Sequence, residues 1–274
     1  MSVARVKNII IGVLVLVNVF FLTIIVIGEY SDAREARQAV ENVCAILLSN
    51  GISITSDSIK PASSIRAMRT VRDVEFEEAI ARSLLGQVEM IDQGVIYLYE
   101  NAISGSAKFS SAGDFEVWMN EGIVTNDEGT LNTVLRLLRD MQLETAAYTV
   151  NLEGGDEVIS VICAYREVSI FNCSIDFMFS GGSLVTVRGR YVAGIEPAAE
   201  ATEIAYVGTA LLGLMAAVER GDAECSEIKR VEAGYIHSVI GSFGEGLIAP
   251  AWLVTTDAGR YAIDSATGDI RSLG

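Results

Sequence analysis

The longest predominantly apolar run lies near the N-terminus. The 19 residues from Ile9 to Ile27 carry no charge. A helix of that length rises about 1.5 Å per residue and reaches roughly 28 Å, close to one bilayer core. Arg5 and Lys7 precede the run, and Glu29 and Asp32 follow it. The positive-inside rule then places the N-terminus in the cytoplasm and residues 29–274 outside. The competing reading is a cleaved signal peptide, with Val26-Ile27-Gly28 as a tolerable cleavage site. The run exceeds the usual signal-peptide core, and no Ala-x-Ala follows it. A retained single-pass signal anchor in the cell membrane is therefore expected. Asn18 sits at mid-membrane depth. It can form an interhelical hydrogen bond on the face Leu14, Asn18, Phe21 and Leu22, or be tolerated locally.

Beyond the run, the periodicity alternates between helix and strand. From Ser31 to Ser49, residues Ala36, Val40, Val43, Ile46 and Leu47 fall on one helical face. Asn50-Gly51 closes that helix. Ser53 to Ser64, with Pro61, is polar and reads as a linker. A first unit follows: a strand over Arg66–Arg72, a helix capped by Asp73 and stopped by Gly86, then strands at Val88–Ile91, Val95–Glu100 and Ala107–Trp118.

A second unit opens with a helix from Glu128 to Ala147, buried through Leu131, Val134, Leu135, Leu138 and Met141, with Asn126 or Asp127 as cap. Strands at Tyr148–Leu152, Val158–Tyr165, Val168–Phe179 and Leu184–Val192 are joined through the turns Gly154-Gly155 and Gly181-Gly182. A third unit begins at Pro197, with Glu200 and Glu203 in the first turn of a helix that runs to Arg220 and stops at Gly221. Its segment Ile204–Val218 is too short to span a bilayer and reads as a core helix with small residues Gly208, Ala210, Gly213 and Ala217. Strands at Glu227–Val239, Ala251–Thr255 and Arg260–Asp264 and a turn at Thr267-Gly268-Asp269 complete it. Helices followed by antiparallel meanders give an α+β class with tandem helix-on-sheet units. The expected segments are 1–28 (tip and anchor), 29–63 (juxtamembrane helix and linker), 64–122, 123–195 and 196–274.

Charge changes the picture of partners. The net charge is −16, and residues 1–8 hold two basic residues and no acid. The rest therefore carries 18 basic against 36 acidic side chains, which excludes nucleic acid as a partner. A mean hydropathy of +0.38 excludes extensive disorder.

Candidate chemistry is sparse. The sole histidine, His237, rules out the common zinc and histidine-dependent hydrolytic motifs and reads as a half-exposed strand residue. Glu77-Glu78 and Asp264…Asp269 read as surface carboxylates. No phosphate loop or nucleophile elbow is present. Cys44, Cys163, Cys173 and Cys225 form no C-x-x-C, and either buried thiols or a disulfide fit their spacing. No catalytic residue, metal or cofactor is expected, and the chain is not expected to be an enzyme.

The C-terminal residues Pro250, Trp252, Gly259, Tyr261, Thr267, Gly268 and Asp269 fall in a Pro-x-Trp strand, a Gly-x-Tyr return and a Thr-Gly-Asp turn. This pattern resembles the end of a PepSY-type unit. The stretch from Val168 to Leu184 resembles the matching hairpin of a preceding unit, with Glu167-Val168-Ser169-Ile170 where the pattern has Gly-x-Pro-Val. A basic tip, one membrane helix, a juxtamembrane helix and tandem PepSY-like units together resemble the YycH/YycI regulatory proteins of Gram-positive bacteria. That resemblance implies a non-catalytic regulator whose membrane helix contacts a cell-wall sensor histidine kinase of a two-component system, with a sister single-pass regulator as a further possible partner. The alternative is a PepSY-like binding or protease-inhibiting module displayed outside the cell, using an exposed strand such as Ala107–Trp118 for strand addition.

Overall fold

The computed structural model describes residues 37–60, 62, 64–198, 203–241 and 244–273. The anchor segment 9–27, with Leu14, Asn18, Phe21 and Leu22, lies outside the described residues. No helix among the described residues is long and apolar enough to cross a membrane.

Four helices and fourteen strands are described. Helix α1 covers 37–49 of the described residues. It is followed by β1 (Met68–Thr70), α2 (Val74–Leu85), β2 (Glu89–Asp92), β3 (Ile96–Asn101), β4 (Gly105–Ser110) and β5 (Asp114–Met119). Next come α3 (Thr130–Asp140), β6 (Thr145–Glu153), β7 (Asp156–Tyr165), β8 (Val168–Ser180), β9 (Ser183–Arg190) and β10 (Ile195–Pro197). The chain ends with α4 (Val207–Arg220), β11 (Ile228–Val239), β12 (Gly246–Thr256), β13 (Arg260–Asp264) and β14 (Ile270–Ser272). The class is α+β.

The expected segments 64–122 and 123–195 contribute to one antiparallel sheet in the order β6-β7-β8-β9-β5-β4-β3-β2. One face packs on α2 and α3 around Ile80, Leu84, Tyr99, Phe109, Val134, Leu138, Ile159 and Phe177. The other face shows a cross-strand ladder, Lys108–Glu116–Arg188–Asp176, in which sign alternates at every step. Opposite charges placed directly across strands favour this register over a slip by one residue, which would also turn the buried set to solvent.

A second group of strands comprises β10, β1, β12 and β11, with β13 and β14 continuing from β12. Only one parallel pairing, Tyr235 with Ile170, joins β11 to β8. Here α1 and α4 cover the sheet through Val43, Leu47, Leu211, Leu214, Val231 and Trp252.

Several boundaries differ from expectation. Helix α3 stops at Asp140 because Gln142 adopts φ 55°, and Ala146 and Ala147 join β6, where β7 offers a ladder. Leu137 is buried in place of the exposed Leu135. The α3 cap position is Gly129, with no side-chain cap, rather than Asn126 or Asp127. Pro197 opens no helix: it ends β10, opposite Met68, and α4 begins at Val207. Ala107–Trp118 is not an exposed edge, because β4 and β5 are both internal strands.

Candidate functional site

Helix α1 packs on α4 in the second core. Apolar residues spaced three and four apart put Val40, Val43 and Leu47 on one face. Leu47 and Val43 are buried, whereas Ile46, expected on the same side, is exposed. The helix ends where Gly51 takes φ 83°, which lets the Ile52 N–H donate to the Leu47 carbonyl at 3.0 Å. On the opposing helix, a Cβ at Gly208 would lie 3.0 Å from Val43 Cγ2 and 2.3 Å from the Tyr206 ring. Glycine there allows the close approach of α1.

The following stretch, expected as a linker, lies along β11. The Ser53 N–H donates to the Ser226 carbonyl at 2.9 Å, Ile228 N–H to the Ser53 carbonyl at 2.8 Å, and Lys60 N–H to the Val231 carbonyl at 2.9 Å. Residues 37–60 are thus attached to the C-terminal sheet by helix packing and by parallel bridges at Glu227 and Val231. A groove of about 760 Å³ runs beside them, between Val40, Ile59 and Tyr206.

The C-terminal motif residues are occupied by structural bonds. Pro250 lies in β12 opposite Tyr235, and its carbonyl accepts from the Ser265 N–H. The buried Trp252 donates its indole N–H to the Ala205 carbonyl at 2.9 Å, fixing the chain just before α4. Gly259 closes the β12–β13 turn on Thr256. The Tyr261 hydroxyl accepts from the Glu224 N–H at 3.0 Å and donates to the Glu224 carbonyl at 3.1 Å. Thr267 accepts from the Asp269 N–H, and Gly268 has φ 76° in the last turn. These residues hold a hairpin, a turn and a helix start together; they do not converge on a reactive centre.

Two buried polar clusters were not apparent from the sequence. Glu77, expected at the surface, is fully buried. Its carboxylate accepts from Arg72 Nε at 2.7 Å and Nη2 at 2.9 Å, and from the Tyr191 hydroxyl at 2.9 Å. Arg72 also stacks over the Tyr97 ring at 4.0 Å. Burial, then the Glu77 charge, drives the Tyr191 hydroxyl pKa far upward. Glu78 stays at the surface, bonded to Arg82.

His237 is 6% exposed rather than half-exposed. Asn172 stitches its backbone to β8, donating Nδ2–H to the His237 carbonyl and accepting the His237 N–H, both at 2.8 Å. Burial, followed by the positive charge of Arg190, pushes its pKa down to about 4 against an opposing effect of Asp114. Its Nε2 lies 3.4 Å from Thr70 Oγ1, too long for an activated hydroxyl–base pair. The cavity beside them has a volume of about 20 Å³, room for a water-sized group and not for a substrate.

All four cysteines are free thiols. Burial pushes Cys163 up to about 12 and Cys173 well above the ordinary thiol value, so both remain protonated and unreactive. Among the described residues no group of three or more His, Cys, Asp or Glu side chains is arranged to hold a metal.

No protein-family model matches the chain. The curated proteins yield no significant match either. Among solved structures, the chain is similar to an uncharacterized protein from Eubacterium rectale, at 8% identity and a TM-score of 0.48, over 81% of this chain and 93% of that one. It is also similar to the Bacillus megaterium YpeB C-terminal domain, at 15% identity and a TM-score of 0.35, over 75% of this chain and 99% of that domain. Neither similarity assigns an activity.

Proposed function

We propose that this chain is a membrane-anchored, extracytoplasmic, non-catalytic regulator of a cell-wall sensor histidine kinase. The observation that carries this reading is the attachment of α1 to the C-terminal sheet, through Val43 and Leu47 on α4 and through the parallel bridges of residues 53 and 59. A body fixed to α1 in this way can pass its orientation to whatever precedes residue 37. In the sequence, that is the uncharged run Ile9–Ile27 with Asn18 at its centre. The anchor biases two packing states of the kinase helices, a coupling typically worth about 1–3 kcal/mol. The PepSY-like motif builds the rigid outer body and takes no part in chemistry.

Replacing Asn18 by Leu tests the reading. The variant keeps the apolar run but removes the amide that can bond across helices. Kinase output, followed by a transcriptional reporter in cells with normal membrane levels of the full-length chain, should move toward the level of a strain lacking the protein. An unchanged reporter would remove Asn18 from the mechanism.

A further inference from the structure

The large antiparallel sheet has two edges, and they differ in their protection. The outer strand β2 carries Glu89 and Asp92 on only four residues. The outer strands of the second group are three residues long: β10 carries Glu196 and Pro197, and β14 carries Arg271. Charges, proline and short length are the ordinary devices that keep an edge from pairing. Strand β6 has none of these over most of its length. It runs nine residues, pairs only with β7, and holds no charge from Thr145 to Leu152. Along its outer side, alternate backbone N–H and C=O groups have no ladder partner among the described residues.

The side chains of β6 point to the same conclusion. Tyr148 and Val150 stand opposite the buried Val161 and Ile159 of β7, and Leu152 follows in the same alternation. They extend the core face of the sheet beyond its last covered strand, and they are 51%, 48% and 81% exposed, respectively. An edge of this kind is a template for another strand, and β6 is complementary to itself. In an antiparallel pair about a two-fold axis at Val150, Val150 meets its own copy and Tyr148 meets Leu152 of the second copy, in both halves of the pair. On the other face Thr149 meets Asn151, and the terminal Glu153 meets Ala147, so no two like charges oppose each other. Aromatic–aliphatic cross-strand pairs of this type are stabilising.

We propose that β6 pairs with β6 of a second copy of this chain, in the register centred on Val150, and joins the two eight-stranded sheets into one continuous sheet. Each copy is strongly acidic, with a net charge of −16, so added salt strengthens the pairing by screening repulsion. This inference stands apart from the kinase reading, because it needs neither the anchor face nor a kinase.

The test is oxidative crosslinking of the full-length chain in cells, with Val150→Cys, Lys108→Cys on the exposed sheet face as the collision control, and the unsubstituted chain for its own four cysteines. Residues opposed in an antiparallel pair lie within disulfide reach. Val150→Cys is expected to give roughly tenfold more covalent dimer than Lys108→Cys, as a local effective concentration would produce, with the bond mapped to position 150 in both copies. Sedimentation of the detergent-solubilised chain should show a dimer that Leu152→Arg converts to monomer. Equal crosslinking at positions 150 and 108, capture of a different protein at 150, or a sedimenting species that is monomeric at all concentrations or unaffected by Leu152→Arg would each overturn the proposal.

Discussion

Acidification should destabilise this protein through its one histidine. In the fold, His237 is buried and its pKa is lowered from 6.5 to about 4. An unfolded chain restores the ordinary value and binds a proton that the folded state refuses. Stability therefore falls as pH drops from about 6.5 to about 4, and is unaffected by this group at higher pH. The full difference amounts to about 3 kcal/mol. At pH 5 the folded imidazole is still mostly neutral and the unfolded one almost fully charged, so about 2 kcal/mol is already lost. Carboxylates also respond to acid, and the relevant quantity is therefore a double difference. Urea unfolding of the full-length chain in mild detergent, followed by the fluorescence of the buried Trp252, would be measured at pH 7.5 and pH 5 for the native chain and for His237→Gln. The native chain should lose about 2 kcal/mol more than the variant over that interval. Equal losses would refute the reasoning, because they would mean that His237 is as accessible to protons in the fold as out of it.

Two further substitutions test the packing. Leu47→Ala removes a fully buried side chain between α1 and the C-terminal body, and should cost about 2–5 kcal/mol, with faster amide exchange in residues 37–49 than in β11 or β12. A loss below about 0.5 kcal/mol, the size of an ordinary surface change, would contradict the docking of α1. Glu77→Gln leaves the part-buried Arg72 without its counter-charge and should cost about 3 kcal/mol in urea unfolding. A neutral result would mean that the pair is not sequestered from water.

Local signals in the sequence were informative. Asp73 caps α2 by accepting from the Phe76 N–H, and Gly86 stops it, as the spacing indicates. The paired glycines at 154–155 and 181–182 all take positive φ at the tips of the β6–β7 and β8–β9 hairpins. What was not legible depends on residues far apart in the chain. Strand β1 falls within the strand expected over Arg66–Arg72, but its partner β12, some 180 positions later, could not be read from it. Residues 53–60 carry no strand pattern of their own and are held by backbone bonds to β11. Glu77 looks like a surface acid until Tyr191, 114 residues on, is brought to its carboxylate. The backbone of His237 is held by Asn172 of β8 and its ring lies beside Thr70 of β1, neither of which its own strand reveals. The free edge at β6 was hidden for a related reason: its alanines favour a helix, and β7 draws them into the sheet.

The proposed regulator acts through its anchor on the helices of a sensor kinase. The most direct measurement places a photo-crosslinking amino acid at Leu14, Asn18 and Leu22 of the full-length chain. Cells are then irradiated, and the partner in the membrane fraction is identified by mass spectrometry. The expected product is a sensor histidine kinase joined to this chain, with the strongest crosslink at Asn18. Full-length chain in the membrane fraction without a kinase crosslink at any of the three positions would contradict it.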